Sequence, residues 1–285
     1  MPRIAIMQGR LVPPEAGRFQ CFPRDHWRKE FPLAAQAGLE AIEWIYDQFG
    51  DDVNPLGSDD GIHEMQSLGQ QHGIDVCSVC ADYFMDRPLL RVSQQELAES
   101  VQRLRWLIDR CRRAGIRRVV LPFVDQSRIE DDEDAGCVVD VLTSVLAETE
   151  RSCVELHLET ALAPASFAAL LDRLPHPNLK VNYDSGNSSS LGYRCDEEFA
   201  AYGHRIGSVH VKDRLLGGGT VPLGQGNADL RAVFDGLDRI GYRGDYVLQV
   251  ARDEPDHEVS WAKHNRAIVI EHLLRRDRVL EGGRK

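Results

Sequence analysis

Short runs rich in β-branched and aromatic residues alternate with longer helix-patterned segments along the whole chain. The alternation recurs eight times and predicts eight βα units. The predicted strands are Arg3–Met7, Ala41–Tyr46, Asp75–Cys80, Arg118–Phe123, Cys153–Glu159, Leu179–Asp184, Ile206–Val211 and Asp245–Val250.

Glycine residues mark the predicted helix ends. Gly38, Gly73, Gly115 and Gly241 each follow an amphipathic segment and precede a predicted strand by a few residues. A helix C-terminus favours a residue that tolerates positive φ, so these positions predict repeated αβ units. The segment Ser93–Glu96 has the spacing of a capping box and predicts the start of the third helix.

Eight βα units in 285 residues suit a single (β/α)8 TIM barrel of the α/β class. No linker-like or low-complexity segment divides the chain, so residues 1–285 are expected to form one domain. A doubly wound open sheet is the alternative. The segment QGRLVPPEA after the first predicted strand lacks the G-x-G-x-x-G turn that usually accompanies such a sheet.

Charge and hydropathy exclude several classes of partner. The chain carries 45 acidic and 34 basic residues, and its formal charge of -11 repels nucleic acid. No stretch approaches the ~18 uncharged residues that a membrane span needs. Seven scattered cysteines are typical of thiols in a reducing compartment. We therefore expect a cytoplasmic protein that binds neither nucleic acid nor membranes.

Polar residues close the four strands predicted in the second half of the chain. Glu159, Asp184, His210 and Gln249 lie on the fifth to eighth strands, about one βα unit apart. TIM barrels build their sites at the C-terminal ends of the strands, so these side chains are expected to converge. Two carboxylates, an imidazole and an amide oxygen suit Mn²⁺, Mg²⁺, Co²⁺ or Zn²⁺.

The chain resembles the sugar phosphate isomerase/epimerase group of xylose isomerase-like TIM barrels, which includes ketose 3-epimerases and, more distantly, endonuclease IV. The motifs that carry the resemblance extend over nearly the whole chain: GRL (residues 9–11), IEW (42–44), LET (158–160), YDSGN (183–187), HVKD (210–213) and VPLGQGN (221–227). The resemblance implies that Glu159, Asp184, His210 and the position of Gln249 hold a divalent metal ion.

The fourth position departs from the family pattern. The ketose 3-epimerases of this group have glutamates as first and last ligands, and these two residues move a proton on opposite faces of the substrate. Gln249 can offer a carbonyl oxygen to a metal, but an amide cannot act as a base. One base, Glu159, is left on the metal, which is sufficient for an aldose–ketose isomerase or a lyase.

A second catalytic group can come from outside the ligands. His157 and Lys212 share strand parity with Glu159 and His210, so both are predicted to point inward as catalytic candidates. Lys212 can instead bind a phosphate. Glu43 is a carboxylate inside an apolar run, and it is a further candidate.

Four residues are predicted to bind substrate, each with a structural alternative. Glu43 can belong to the site or form a structural ion pair, and Arg10 can contact an anionic substrate or be the partner of Glu43 in that pair. Asn187 can face the substrate or serve as a turn residue. Arg214, beside the glycines of the segment KDRLLGGGT, can bind a phosphate or carboxylate or can be solvated.

We therefore predict a metal-dependent sugar or sugar-phosphate isomerase/epimerase. It would abstract a proton α to a carbonyl by way of a metal-stabilised enediolate. The alternatives are a lyase that dehydrates its substrate on the same metal scaffold, and a non-catalytic sugar- or metal-binding barrel. An endonuclease IV-like hydrolase needs more histidines at strand ends than the sequence offers. The family commonly assembles as homo-oligomers, which the sequence of this chain allows.

Overall fold

The protein is described by a computed structural model that covers the backbone of residues 2–282 and the side chains of residues 2–275. The barrel strands are β1 (Ile4–Met7), β2 (Ala41–Ile45), β3 (Asp75–Cys80), β4 (Arg118–Phe123), β5 (Glu155–Thr160), β6 (Leu179–Asp184), β7 (Ile206–Val211) and β10 (Tyr246–Leu248). Between the last two, β8 (Asp213–Arg214) and β9 (Thr220–Val221) form a small antiparallel hairpin.

The eight long strands pair in parallel and close in the order β1-β10-β7-β6-β5-β4-β3-β2. Closure confirms the predicted TIM barrel and excludes the open doubly wound sheet. It also places neighbouring strand ends side by side at one end of the barrel, which we call the mouth.

Helices cover the outside of the barrel. They are α1 (Glu30–Ala37), α2 (Asp59–His72), α3 (Tyr83–Asp86), α4 (Gln94–Ala114), α5 (Asp132–Ser152), α6 (Pro164–Asp172), α7 (Ser185–Ser190), α8 (Cys195–Tyr202), α9 (Leu230–Arg239) and α10 (Glu258–Gly282). The predicted capping box opens α4, and Gly38, Gly73 and Gly115 end helices in the left-handed conformation. Among the residues described, no helix has both the length and the apolar composition needed to cross a bilayer.

Two strand boundaries differ from the prediction by two residues, and the others differ by one residue or not at all. Cys153 ends α5 with a φ of 55°, so β5 begins at Glu155 and not at Cys153. The eighth barrel strand is shorter than predicted and ends at Leu248. The Gln249 N–H still donates to the Val211 carbonyl at 3.1 Å, so Gln249 stays anchored beside β7.

The barrel interior contains polar as well as apolar side chains. Apolar residues of the strands and the inner helix faces form the surrounding core, and each fully buried Leu, Ile or Phe contributes roughly 1.5–3 kcal/mol. On β5, β6 and β7 the alternate positions are polar and buried: His157, Glu159, Asn182, Asp184, Ser208 and His210. Burying this many polar groups is costly unless each is hydrogen-bonded, so their contacts show what the interior is built to hold.

Candidate metal centre and active site

Three of the four predicted ligands come together at the mouth. Glu159, Asp184 and His210 each offer one ligand atom, and these atoms lie within 4.8 Å of one another. All three side chains are buried, and they come from the adjacent strands β5, β6 and β7. The convergence follows from parallel pairing, because it aligns the carboxyl ends of neighbouring strands.

Asp184 is fixed by the start of the helix that follows it. It ends β6 and caps α7, where its Oδ1 accepts the N–H groups of Gly186 and Asn187, both at 2.8 Å. Its Oδ2 lies 3.4 Å from Lys212 Nζ and 3.9 Å from His210 Nδ1. One oxygen is therefore held by the backbone, and the other faces the centre.

Glu159 is oriented by two amides. Its Oε1 accepts from Asn187 Nδ2 at 2.6 Å, and its Oε2 accepts from Asn182 Nδ2 at 2.7 Å. The Ser208 hydroxyl donates to Asn182 Oδ1 at 2.6 Å, which turns the Asn182 NH₂ group towards Glu159. Asn182 was not predicted, although it precedes Asp184 by two positions and strand alternation could have identified it.

His210 lies between the centre and a buried carboxylate. Its Nδ1 is 3.2 Å from Glu159 Oε2, and its Nε2 is 2.5 Å from Glu43 Oε1. Ser78 donates its hydroxyl to Glu43 Oε2 at 2.5 Å. Burial alone would lower the pKa of His210, but Glu43 and Glu159 together raise it well above its usual value. Burial likewise opposes ionisation of Glu43, yet His210 and Ser78 lower the pKa of that carboxyl.

Glu43 therefore lies beneath the predicted ligands and not in the open mouth. Metal-binding histidines commonly donate their second ring N–H to a carboxylate, which fixes the tautomer and the ring orientation. The Glu43–His210 pair has this arrangement, with both side chains fully buried. The predicted contact of Glu43 with substrate stays a prediction.

The fourth position is oriented through a chain of amides. Gln249 Nε2 donates to Gln20 Oε1 at 3.1 Å, and Arg10 Nη2 donates to the same oxygen at 2.9 Å. A guanidinium group has only donors, so Gln20 presents its oxygen to Arg10 and accepts from the Gln249 NH₂. The Gln249 carbonyl oxygen consequently faces the ligands. Arg10 is buried behind this chain, and its predicted contact with substrate stays a prediction.

A cation already lies among these oxygens. Lys212 Nζ is 3.1 Å from Gln249 Oε1, 3.3 Å from Asn187 Oδ1 and 3.4 Å from Asp184 Oδ2. Oxygens that converge on an ammonium group, beside a second carboxylate and an imidazole, form a donor set that fits a divalent cation. Lys212 thus points inward at the mouth, as its strand parity predicts.

The glycine-rich segment after β7 is a folded loop. Arg214 donates from Nε and Nη2 to the Gly218 carbonyl and from Nη1 to Asn187 Oδ1, at 3.1, 2.8 and 2.9 Å. The buried Asp213 accepts three backbone N–H groups farther along the same loop. The structure brings Arg214 to the rim of the site, and its predicted contact with substrate stays a prediction.

His157 lies one layer below the centre. Its Nδ1 is 2.7 Å from Ser208 Oγ, and its Nε2 is 3.0 Å from Glu155 Oε2. Burial lowers the pKa of His157, although Glu155 acts in the opposite direction. The ring is fully buried and supports Ser208, which in turn orients Asn182. Its predicted catalytic role stays a prediction.

Comparison with known proteins places this geometry in a family. The family model described as a xylose isomerase-like TIM barrel matches residues 31–272. The L-ribulose-5-phosphate 3-epimerase UlaE of Salmonella heidelberg (strain SL476) is 25% identical over 248 residues, which cover 83% of this chain and 87% of that protein. The enzyme class predicted from the sequence, an isomerase, is the class of this relative.

Solved structures show the same fold. An L-ribulose 3-epimerase superposes with a TM-score of 0.77 at 20% identity and covers 100% of this chain and 99% of its own. The IOLI protein with a binding zinc atom superposes with a TM-score of 0.74 at 19% identity, with coverages of 94% and 98%. Because the family model spans most of its length, the chain belongs to the family of xylose isomerase-like TIM barrels.

Proposed function

We propose that the protein is a divalent-metal-dependent epimerase of ketoses or ketose phosphates that removes a proton next to the substrate carbonyl. The observation that carries the proposal is the buried cluster of Glu159, Asp184 and His210, whose ligand atoms lie within 4.8 Å of one another at the barrel mouth. The names of the relatives, which specify L-ribulose 5-phosphate and L-ribulose, support the substrate class.

Four residues would hold the metal ion: Glu159, Asp184, His210 and, through its carbonyl oxygen, Gln249. The set of oxygens with one imidazole suits Mn²⁺, Mg²⁺, Co²⁺ or Zn²⁺. The bound ion would supply Lewis acidity towards the carbonyl and the adjacent hydroxyl of an open-chain sugar.

Glu159 would act as the base. Asn182 and Asn187 hold both of its oxygens, so the carboxylate is oriented before substrate arrives. Glu159 takes the proton from the carbon next to the carbonyl, and the C–H electron pair moves towards the carbonyl oxygen to give an enediolate. The Lys212 ammonium, which contacts Asp184 and Gln249 in the same site, would stabilise the negative charge on the oxygens.

The face to which the proton returns decides the product. Loss of the C3 proton and return of a proton to C3 from the opposite face gives the epimer, whereas loss of a C1 proton and return of a proton to C2 gives an aldose. Gln249 favours this second candidate, a one-base aldose–ketose isomerase, because its amide cannot deliver a proton.

Deuterium exchange tests the proposal. The protein is incubated in D₂O with Mn²⁺ and L-ribulose 5-phosphate, L-ribulose or D-allulose, and the sugars are followed by NMR. We expect deuterium at C3 together with the C3 epimer; deuterium at C1 or C2 would indicate isomerisation.

Glu159→Gln should slow the exchange by about 10²–10⁴-fold. The matched control, Glu40→Gln, changes an exposed carboxylate immediately before β2 and should exchange as wild type. Exchange by Glu159→Gln at the wild-type rate would show that Glu159 is not the base.

A further inference from the structure

A carboxyl group that is not a ligand lies at the mouth. Asp82 follows β3 by two residues, and its Oδ2 accepts from Gln20 Nε2 at 2.7 Å. Gln20 in turn accepts from Gln249 at 3.1 Å. Asp82 is thus two hydrogen bonds from the position at which the family's second glutamate is replaced.

The strand order puts Asp82 outside the arc of strands that carries the four proposed ligands. The ligands follow β5, β6, β7 and β10, which are consecutive neighbours in the closed barrel. β3 is four positions from β7 in the ring of eight and lies opposite it. β3 is also two positions from β5, so Glu159 and Asp82 approach a substrate at the mouth from different strands and different directions.

The surroundings of Asp82 make its carboxyl a weaker acid than an exposed aspartate. Burial, together with the negative charges of Asp47 and Glu159, raises the pKa of Asp82 to about 6, although hydrogen bonds from Gln20 and Cys80 oppose the rise. Its Oδ1 faces the thiol of Cys80 at 3.1 Å, a weak donor. The side chain is half-buried, so it can exchange protons with solvent.

The other acid–base candidates are less suitable. Lys212 lies on the ligand side, 3.4 Å from Asp184. His157 and Glu43 are fully buried beneath the ligands, with their polar atoms engaged by other side chains. Neither can reach the open face of a substrate at the mouth.

We propose that Asp82 is the second proton-transfer residue of the epimerisation, in place of the glutamate that Gln249 replaces; this inference rests on the proposed function. Glu159 takes the C3 proton, and the C–H electron pair enters the enediolate. The Asp82 carboxylic acid then delivers its proton to C3 from the opposite face, a new C–H bond forms, and Asp82 becomes a carboxylate. Solvent returns a proton to Asp82 and removes the one on Glu159.

The test separates exchange from inversion. Asp82→Asn is incubated in D₂O with Mn²⁺ and the same three ketoses, and NMR measures deuterium at C3 and epimer formation separately. We expect exchange into the unreacted ketose within a few-fold of wild type, because Glu159 is intact. Epimer formation should fall at least about 100-fold.

Two further variants serve as a control and as a rescue of Asp82→Asn. Asp86→Asn, at the exposed end of the short helix α3 that Asp82 precedes, should form epimer as wild type. The double variant Asp82→Asn/Gln249→Glu restores a carboxyl on the eighth strand and should form epimer at least about tenfold faster than Asp82→Asn.

Three results would overturn the assignment. Epimer formation by Asp82→Asn at the wild-type rate would show that the second group is elsewhere. Joint loss of exchange and inversion in a folded Asp82→Asn protein would show that Asp82 does not act after Glu159. Wild-type protein that shows neither exchange nor epimer with any of the three ketoses would refute the proposed function itself, and this inference with it.

Discussion

The buried carboxyl group of Glu30 predicts a pH dependence of the free energy of unfolding, and its magnitude follows from the structure. This carboxylate at the start of α1 is fully buried, and its Oε1 accepts the N–H groups of Gly9 and Leu11 at 2.7 and 3.4 Å. Those two residues flank Arg10, so Glu30 holds the loop that orients Gln20 and Gln249. Burial raises the pKa of Glu30 from 4.5 to about 8, although the two backbone donors and the nearby arginines oppose the rise.

The sign of the pH effect follows from proton linkage. Between pH 4.5 and 8 the folded chain keeps the proton on Glu30, while the unfolded chain has released it. The unfolded state then binds fewer protons, so the free energy of unfolding falls as the pH rises through this window and levels off above it. A pKa difference of this size corresponds to an upper limit of roughly 5 kcal/mol at about 1.4 kcal/mol per unit.

Glu30→Gln removes the titration but keeps an oxygen for Gly9 and Leu11. Within the described structure Glu30 Oε2 has no hydrogen-bond partner, so the cost of the new NH₂ group is the same at every pH. We expect the stability of Glu30→Gln relative to wild type to increase by on the order of 2–5 kcal/mol between pH 5 and pH 8. Urea denaturation followed by circular dichroism at several pH values measures this difference.

Glu64→Gln is the matched control. Arg28 lowers the pKa of Glu64 by a direct hydrogen bond, so Glu64 titrates below the window. The stability of Glu64→Gln relative to wild type should therefore stay constant from pH 5 to pH 8. A Glu30→Gln profile parallel to wild type over that range would refute the reasoning, because Glu30 would then be ionised at no cost in the folded protein.

Three further predictions concern the metal centre and the packing beneath it. Mn²⁺ at 100 times its Kd should stabilise EDTA-treated protein by about 2.7 kcal/mol and so raise its melting temperature in thermal denaturation. The Asp184→Asn variant should lose this shift, and a wild-type protein that shows no shift would contradict the proposed metal site. Lys212→Met removes an ammonium group that competes with the metal ion for the same oxygens, and it should lower the Kd for Mn²⁺, measured by titration calorimetry, about tenfold. Weaker binding would mean that the ammonium group does not oppose the metal. Gly207→Ala would place a Cβ 2.6 Å from His157 Cε1 and should lower the free energy of unfolding, measured by urea denaturation, by about 1–3 kcal/mol. Gly57→Ala, with open space around its Cβ, should be tolerated. Equal stabilities of the two variants would mean that the layer below the centre is loosely packed.

The strands and the convergence of three of the proposed ligands could be predicted from sequence because both depend on local periodicity. Strand alternation and helix-ending glycines define βα units, and parallel pairing then brings the strand ends together whatever their loops contain. Asp184 is the last residue of its strand, and Glu159 and His210 are the last but one of theirs, so their convergence needed no further information.

The contacts that decide the chemistry could not be predicted in the same way. The pairing of Glu43 with His210 depends on which inward layer of the closed barrel each side chain occupies. Gln20 reaches Gln249 and Asp82 from the loop after β1, where no periodicity constrains a side chain. Only the closed barrel brings together Gln20 and Gln249, which are more than 200 residues apart in sequence. Because Arg10 has only donors, it fixes the orientation of the Gln20 amide and through it that of the Gln249 amide, whose oxygen then faces the proposed ligands.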